Sequence, residues 1–375
     1  MKTHVLGVWV VAWMGGLAGG LLGGSVAEAQ TDIDFVTVGS PGNPAYRGPD
    51  PFDRVTGRGS VGYEYRIGRT EVTTAQWMEF YNTFKARADA VPDSVLPVPI
   101  IWGAVRDPNY TGPGVRYMLN PNNPYAGDMP AYNVTWRTAA RFCNWQHNDR
   151  SSDLSAIANG AYDTSTFVDF NENRQFTDQA TRSPGARFWI PSLDEWMKAS
   201  HWSPSNPNLD GWYLGPNRSD QPLMYGPPGL LGGMGQANAG FTLPNFAHYT
   251  TIPLGAYPEI FSPWGLLDSA GAGAEWLEEI LSIGGDMYRG FDSSNAGMAA
   301  DGAASRDAVH GWAADRPWAR AIPTGLRIAS SIPTPGVSGM LILAIASCVV
   351  GRHRGRPEHV QAVHLGVVRG GGGPC

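Results

Sequence analysis

Ser262-Pro263-Trp264-Gly265-Leu266-Leu267-Asp268-Ser269-Ala270-Gly271-Ala272-Gly273-Ala274-Glu275-Trp276 is the stretch in which backbone freedom, charge and aromatic bulk lie closest together. The small residues from 269 to 274 let the main chain turn tightly, because little or no side chain restricts it. Asp268 and Glu275 bracket that turn with carboxylates. With main-chain carbonyls they form the oxygen-only donor set that a hard cation such as Ca²⁺ takes. A Gly-rich turn before a buried tryptophan also stands without an ion. The residues alone leave both readings open.

Upstream of this stretch, three segments read as helices. Thr73-Thr74-Ala75-Gln76 is a capping box, in which Thr73 caps the first turn and Gln76 reaches back. Trp77, Phe80, Tyr81 and Phe84 follow at helical spacing and place one aromatic stripe on the core. A second helix is expected from Thr135 to His147, with Ala139, Phe142 and Cys143 on its apolar side and Arg137 and Arg141 opposite. A third follows Pro191, where Ser192-Leu193-Asp194-Glu195 is another capping box and Trp196 and Ala199 face inward. Acidic residues in its first turn suit the helix dipole. Short strands are expected at 63–67, 186–190 and 325–329. Between them run Gly/Pro/Asn-rich segments such as 120–128 and 204–240. The pattern is that of a single α+β domain with low regular secondary structure, held by buried tryptophans.

Composition agrees. Of 375 residues, 48 are Gly and 30 Pro, while charged residues make up only 16% and 14 residues are Trp. An average protein has about 25% charged residues. The aromatic share of 11% supplies ample surface to bury, which excludes a disordered polyelectrolyte. The net charge of −6, and lysines only at Lys2, Lys85 and Lys198, give no basic face for nucleic acid. Three cysteines make no disulfide framework. The eight histidines form no His-x-His or His-Glu-x-x-His pair, and no Gly-x-Ser-x-Gly elbow or phosphate loop occurs. Asp169-Phe170-Asn171-Glu172-Asn173 begins like a calcium loop, but Arg174 and Ala180 stand where that loop needs Gly and Glu, so it reads as a polar turn.

Both ends read as sorting signals rather than fold. Residues 1–29 have a polar start, an apolar stretch from Val5 to Leu22 and the small-x-small site Ala27-Glu28-Ala29, the pattern of an export signal peptide. The folded body is expected over 30–331. Residues 332–356 hold a Pro-Thr-Pro turn, an apolar run from Val337 to Val350 and an arginine cluster. That run is shorter than the roughly 20 residues of a stable membrane span. The order resembles a bacterial PEP-CTERM sorting signal, which implies a transient membrane anchor through 337–350 and delivery to the cell envelope or exterior. Residues 357–375 are read as an unstructured tail.

Six motifs in order give the body a resemblance. Tyr65-Arg66-Ile67-Gly68-Arg69-Thr70-Glu71-Val72-Thr73-Thr74-Ala75-Gln76-Trp77 is similar to "IGKYEVTNAQY". Met129 to Trp136, with Ala139 to Trp145, is similar to "PVVNVSW..A..YCNW". Ala186 to Trp196 is similar to "RLPTEAEW", and Gly265 to Trp276 to "GLYDMVGNVWEW". Arg289-Gly290 and Gly325-Leu326-Arg327 correspond to "RGGSW" and "GFR". The chain thus resembles the formylglycine-generating-enzyme, or sulfatase-modifying factor, domain, specifically a secreted bacterial subgroup of it. The resemblance spans residues 35 to 330 and implies that family's variant of the C-type-lectin fold.

The resemblance also says what to expect of chemistry. Family oxidases convert a sulfatase cysteine to formylglycine with O₂ and copper, held by two cysteines shortly after RGGS. Thiolates are the soft ligands that Cu(I) prefers. Here no cysteine occurs from Arg289 to Arg320, and Phe291-Asp292-Ser293-Ser294 stands where the motif continues. Copper is therefore not expected, and no catalytic residue is assigned. Cys143 matches a family cysteine whose partner position here is Ile328, so it is expected as a free buried thiol. The family's calcium turn maps onto Asp268, Gly271, Gly273 and Glu275, and a second calcium site onto Asn245 and Phe246.

The expected function is an exported, calcium-stabilised, non-catalytic binding or scaffold protein, meeting an extracellular ligand or envelope protein. The alternatives are a formylglycine-generating oxidase and a carbohydrate-binding module. Buried tryptophans favour the scaffold; solvent-facing rings in one cleft favour a binding module.

Overall fold

Thr73 starts the first helix, α1 (Thr74–Lys85), by the capping box expected: its side chain accepts from the Gln76 amide while Gln76 accepts from the Thr73 amide. The computed structural model describes residues 32–50, 55–168, 175–221, 223–224, 226–238, 252–271, 273–283, 286–292, 312–315 and 324–333. The export signal, the sorting segment, the tail, Asn245, Phe246 and the 169–173 turn lie outside them.

The aromatic stripe of α1 is fully buried at Trp77, Phe80, Tyr81 and Phe84. It meets α2 (Trp136–His147), capped by Thr135. Trp77 lies 4.6 Å, centroid to centroid, from Phe142, and Phe80 lies 5.3 Å from Trp145. Such tilted and edge-on contacts suit the charge distribution of aromatic rings. Cys143 is buried and unpaired in this interface, and burial raises its thiol pKa.

The first sheet has four strands: β1 (Phe35–Val38), β2 (Tyr65–Gly68), β5 (Phe188–Trp189) and β10 (Ala329–Ser330), in the order β1-β2-β10-β5 and antiparallel throughout. A small hairpin, β3 (Ala104–Arg106) with β4 (Tyr117–Leu119), lies against α1. A third helix, α3 (Leu193–His201), begins at the Ser192–Glu195 capping box and buries Trp196 and Ala199.

The second four-stranded sheet runs β8 (Trp312–Asp315), β7 (Asp286–Asp292), β6 (Ala274–Ile283) and β9 (Thr324–Gly325). Its β6–β7 hairpin had no counterpart in the strands expected from sequence. The reason is burial: Ala274 to Glu278 are buried one after another, so the inside-outside alternation that reveals a strand is missing.

The strand expected over 325–329 is corrected into two. Thr324–Gly325 pairs in parallel with Ala274–Glu275 of the second sheet, and Ala329–Ser330 pairs with β2 and β5 of the first. Leu326, Arg327 and Ile328 cross between the sheets, fully buried. The flanking strands are also shorter or shifted: 65–68 rather than 63–67, and 188–189 rather than 186–190.

Tryptophans fill the space that so little regular structure leaves. Trp77, Trp136, Trp145, Trp189, Trp196, Trp202, Trp212 and Trp276 are buried, while Trp102 and Trp264 are partly exposed. Several also bridge segments with the indole N–H. Trp136 donates to the Leu277 carbonyl at 3.0 Å and Trp276 to the Val134 carbonyl at 2.8 Å, a reciprocal clamp between α2 and β6.

The two halves of the α3 capping box should differ in energy. Ser192→Ala removes one cap, worth about 1 kcal/mol. Glu195→Ala should cost at least about twice as much, because Glu195 also accepts from Trp189, Tyr63 and Arg182. Urea unfolding of the two variants checks this order.

Candidate functional site

The turn at 268–275 is built as its small residues require. Gly271 has φ +78, and a Cβ there would sit 2.5 Å from the Asn238 carbonyl oxygen. A Cβ on Gly273 would strike the Tyr132 ring at 2.1 Å. Both positions exclude a side chain.

Glu275 does not face an open cage. Its Oε1 accepts from Arg327 Nε at 3.0 Å and Nη2 at 2.8 Å, and its Oε2 from Arg327 Nε at 3.0 Å and Trp196 Nε1 at 2.7 Å. The remaining Arg327 donors go to the carbonyls of Gly68, Arg69 and Leu267. Three N–H groups thus engage the two oxygens. Glu275, expected as a calcium ligand from the resemblance, is in this structure the counterion of a buried arginine. Among the described residues no three His, Cys, Asp or Glu side chains come together as a metal cluster.

Two more carboxyls face the same guanidinium. Glu71 is buried, with no hydrogen-bond partner on either oxygen. Burial first, and the neighbouring Glu275 second, push its pKa well above the usual carboxylate value. Asp268, at φ +53, accepts from the Gly255 amide at 2.6 Å, and burial raises its pKa to about 6. Burial opposes the charge of Arg327, but Glu275 outweighs it and raises the guanidinium pKa. Three carboxyls thus surround one cation, an excess of acid that protons or a metal ion must balance. Gly271, Gly273 and Asp268 remain one continuous turn beside this centre.

β6 carries two further acids, each given to another distant arginine. Glu278 accepts from the Arg182 side chain at 3.2 Å and from the Tyr162 hydroxyl at 2.9 Å. Arg182 also binds Glu195 at 3.0 Å. Burial opposes the Arg182 charge, yet Glu195 and Glu278 hold its pKa above the usual arginine range. Glu279 accepts from Arg58 at 2.8 Å, and Arg58 also binds Asp194 at 2.9 Å. One strand therefore gathers Arg58, Arg182 and Arg327 from three remote parts of the chain.

Sequence reasoning missed this role. For Arg327 the signal was present: it sits between Leu326 and Ile328. Charges inside apolar strings are seldom buried unless they are paired.

Two outcomes follow. Glu275→Ala should lower stability by about 3–5 kcal/mol, the usual loss when one partner of a buried pair is removed. Melting curves should show that loss equally in calcium and in EGTA. The second concerns Glu278, whose pKa burial raises to about 7. A carboxyl with a raised folded pKa binds more protons folded than unfolded, so its contribution falls as pH rises from about 4.5 to about 7. Glu278→Gln should flatten the pH dependence of the melting temperature across that window.

Comparison with known proteins agrees with this architecture. Residues 28–331 match the model of the Sulfatase-modifying factor enzyme 1-like domain. Among solved structures, CarF aligns with TM-score 0.48 and 19% identity over 80% of this chain and 99% of that one. Treponema denticola variable protein 1 aligns with TM-score 0.43 and 16% identity over 81% and 98%. PvdO from Pseudomonas aeruginosa gives 0.37 and 12% over 80% and 92%. No curated protein matches.

Proposed function

The chain belongs to the sulfatase-modifying factor family, and from that premise we propose that it is an exported, non-catalytic member that works as a rigid scaffold at the cell envelope. The carrying observation is the missing thiolate pair. From Arg289 to Arg320 there is no cysteine, and β7 continues past Arg289-Gly290 as Phe291-Asp292. Cys143 is buried in the α1–α2 interface, and Cys348 and Cys375 lie beyond the matched domain. No cysteine of the domain is placed to hold copper.

The tryptophans support the same reading. Eight of those described are buried, and the two partly exposed rings, Trp102 and Trp264, both pack on the core. They form no open aromatic platform, which favours a scaffold over a carbohydrate-binding module. The lectin-like use of such a scaffold is to present loops to an extracellular ligand or envelope protein. Export rests on the sequence of residues 1–29, and envelope sorting on residues 332–356. Among the described residues, no helix is long and apolar enough to cross a membrane.

Calcium belongs to the proposal in reduced form. The donors near Arg327 are hard oxygens, and Asp268 with the carbonyls of Gly271 and Gly273 fits a calcium-type donor set. Glu275 does not. A bound ion would supply the positive charge that the three-carboxyl centre lacks. Calcium should then raise the melting temperature of the wild type and leave Asp268→Asn unmoved. The same melting temperature in calcium and EGTA for the wild type would remove the ion.

The catalytic question has a direct assay. The chain is loaded with copper and incubated in air with a peptide carrying Cys-x-Pro-x-Arg, and mass spectrometry reads conversion to formylglycine. No conversion is expected, beside an active family member as control. Conversion would overturn the non-catalytic reading.

A further inference from the structure

The other feature with binding chemistry lies at the start of α2. A cavity of about 480 Å³ opens between the segment after α1, the first turns of α2 and the chain at 167–168. That volume falls within the roughly 300–1,000 Å³ of small-molecule pockets. Val95, Pro97, Phe167 and Val168 give it an apolar side, and Ser94, Thr135, Arg137 and Arg141 the larger polar share of its lining.

The two arginines are four residues apart on one face of α2, opposite the buried stripe. They are not equivalent. Arg137 is fixed by a two-pronged pair with Asp178, at 2.9 and 2.7 Å, and by the Val168 carbonyl at 3.0 Å. Among the described residues Arg141 hydrogen-bonds no carboxylate: it donates to the Arg137 carbonyl at 3.2 Å, while its guanidinium lies over the Phe167 ring at 5.2 Å. Burial, and then the neighbouring Arg137, lower its pKa to about 10, which leaves it charged at neutral pH. Among the described residues, two guanidinium groups and one carboxylate leave the polar end positive. The start of α2 adds the positive end of its dipole.

We propose that this pocket binds a small organic carboxylate with a flat apolar body, with Arg141 as its anchor. The guanidinium fork matches the two oxygens of a carboxylate. The Phe167 ring holds that fork against the apolar side, and Val95, Pro97, Phe167 and Val168 accept the body of the ligand. The site is independent of whether the domain is catalytic, and its test reads binding, so its failure is distinct from the failure of the scaffold reading.

Calorimetric titration of the full chain with benzoate, acetate, benzamide and inorganic phosphate tests it. Benzoate should bind, and the other three should bind about tenfold or more weakly, because each lacks the ring, the charge or the apolar body. Arg141→Gln should weaken benzoate about tenfold, and Arg141→Lys should fall between, keeping charge without the fork. Arg218→Gln, which alters a different arginine–aromatic contact over Phe261, should leave binding unchanged. Circular dichroism reports whether each variant is folded. Should Arg141→Gln fail to fold, Val95→Asp places a negative charge on the exposed rim and should abolish binding instead. The proposal is overturned by no benzoate binding to the wild type, by undiminished binding in folded Arg141→Gln or Val95→Asp, or by acetate, benzamide or phosphate binding as tightly as benzoate.

Discussion

The ion pair between Arg327 and Glu275 holds the two sheets in one domain. Arg327 lies on the three residues that cross from β9 to β10, and Glu275 lies on β6, the central strand of the second sheet. Both are fully or almost fully buried, so neither can turn to water if the other leaves. The carbonyls of Gly68, Arg69 and Leu267 fill the rest of the guanidinium, which ties the end of β2 and the glycine turn to the same point. Buried pairs are seldom a source of net stability relative to an apolar core. Here the pair brings groups of both sheets, the end of β2 and the glycine turn to one buried point.

The same logic extends along β6. Glu278 and Glu279 recruit Arg182 and Arg58, both from irregular segments with little backbone pairing of their own. A domain with short strands cannot rely on ladder hydrogen bonds to order its loops. Side chains do so instead, through buried indoles that donate to remote carbonyls and acids that collect remote arginines. Trp136 and Trp276 are the plainest case, each donating to the main chain beside the other.

Both capping boxes, and with them the starts of α1 and α3, were legible in sequence because capping is local chemistry within four residues. The α+β class and the low content of regular structure were legible from punctuation by Gly and Pro. What was not legible depended on partners far away. That Glu275 pairs with Arg327 was not legible, because that partner is 52 residues downstream. The 325–329 strand looked continuous because its residues are uniformly apolar around Arg327, yet its two ends serve different sheets. The β6–β7 hairpin was hidden because a strand buried on both faces carries no alternation. At the proposed ligand pocket, the helix and the outward position of Arg137 and Arg141 were visible, but not that Asp178 pairs with Arg137. Asp178 lies in a segment with no periodic pattern.

The order of the first sheet sets where the chain enters and leaves. β1 begins the described structure and β10 nearly ends it, and only β2 separates them. Both run antiparallel to β2 and therefore parallel to each other, with Val36 and Ala329 opposite the same residue, Ile67. The chain thus enters at one end of this sheet and leaves toward the opposite end. A pull on the two ends of the body loads these strands in shear, so the ladder bonds to β2 resist together rather than parting one at a time.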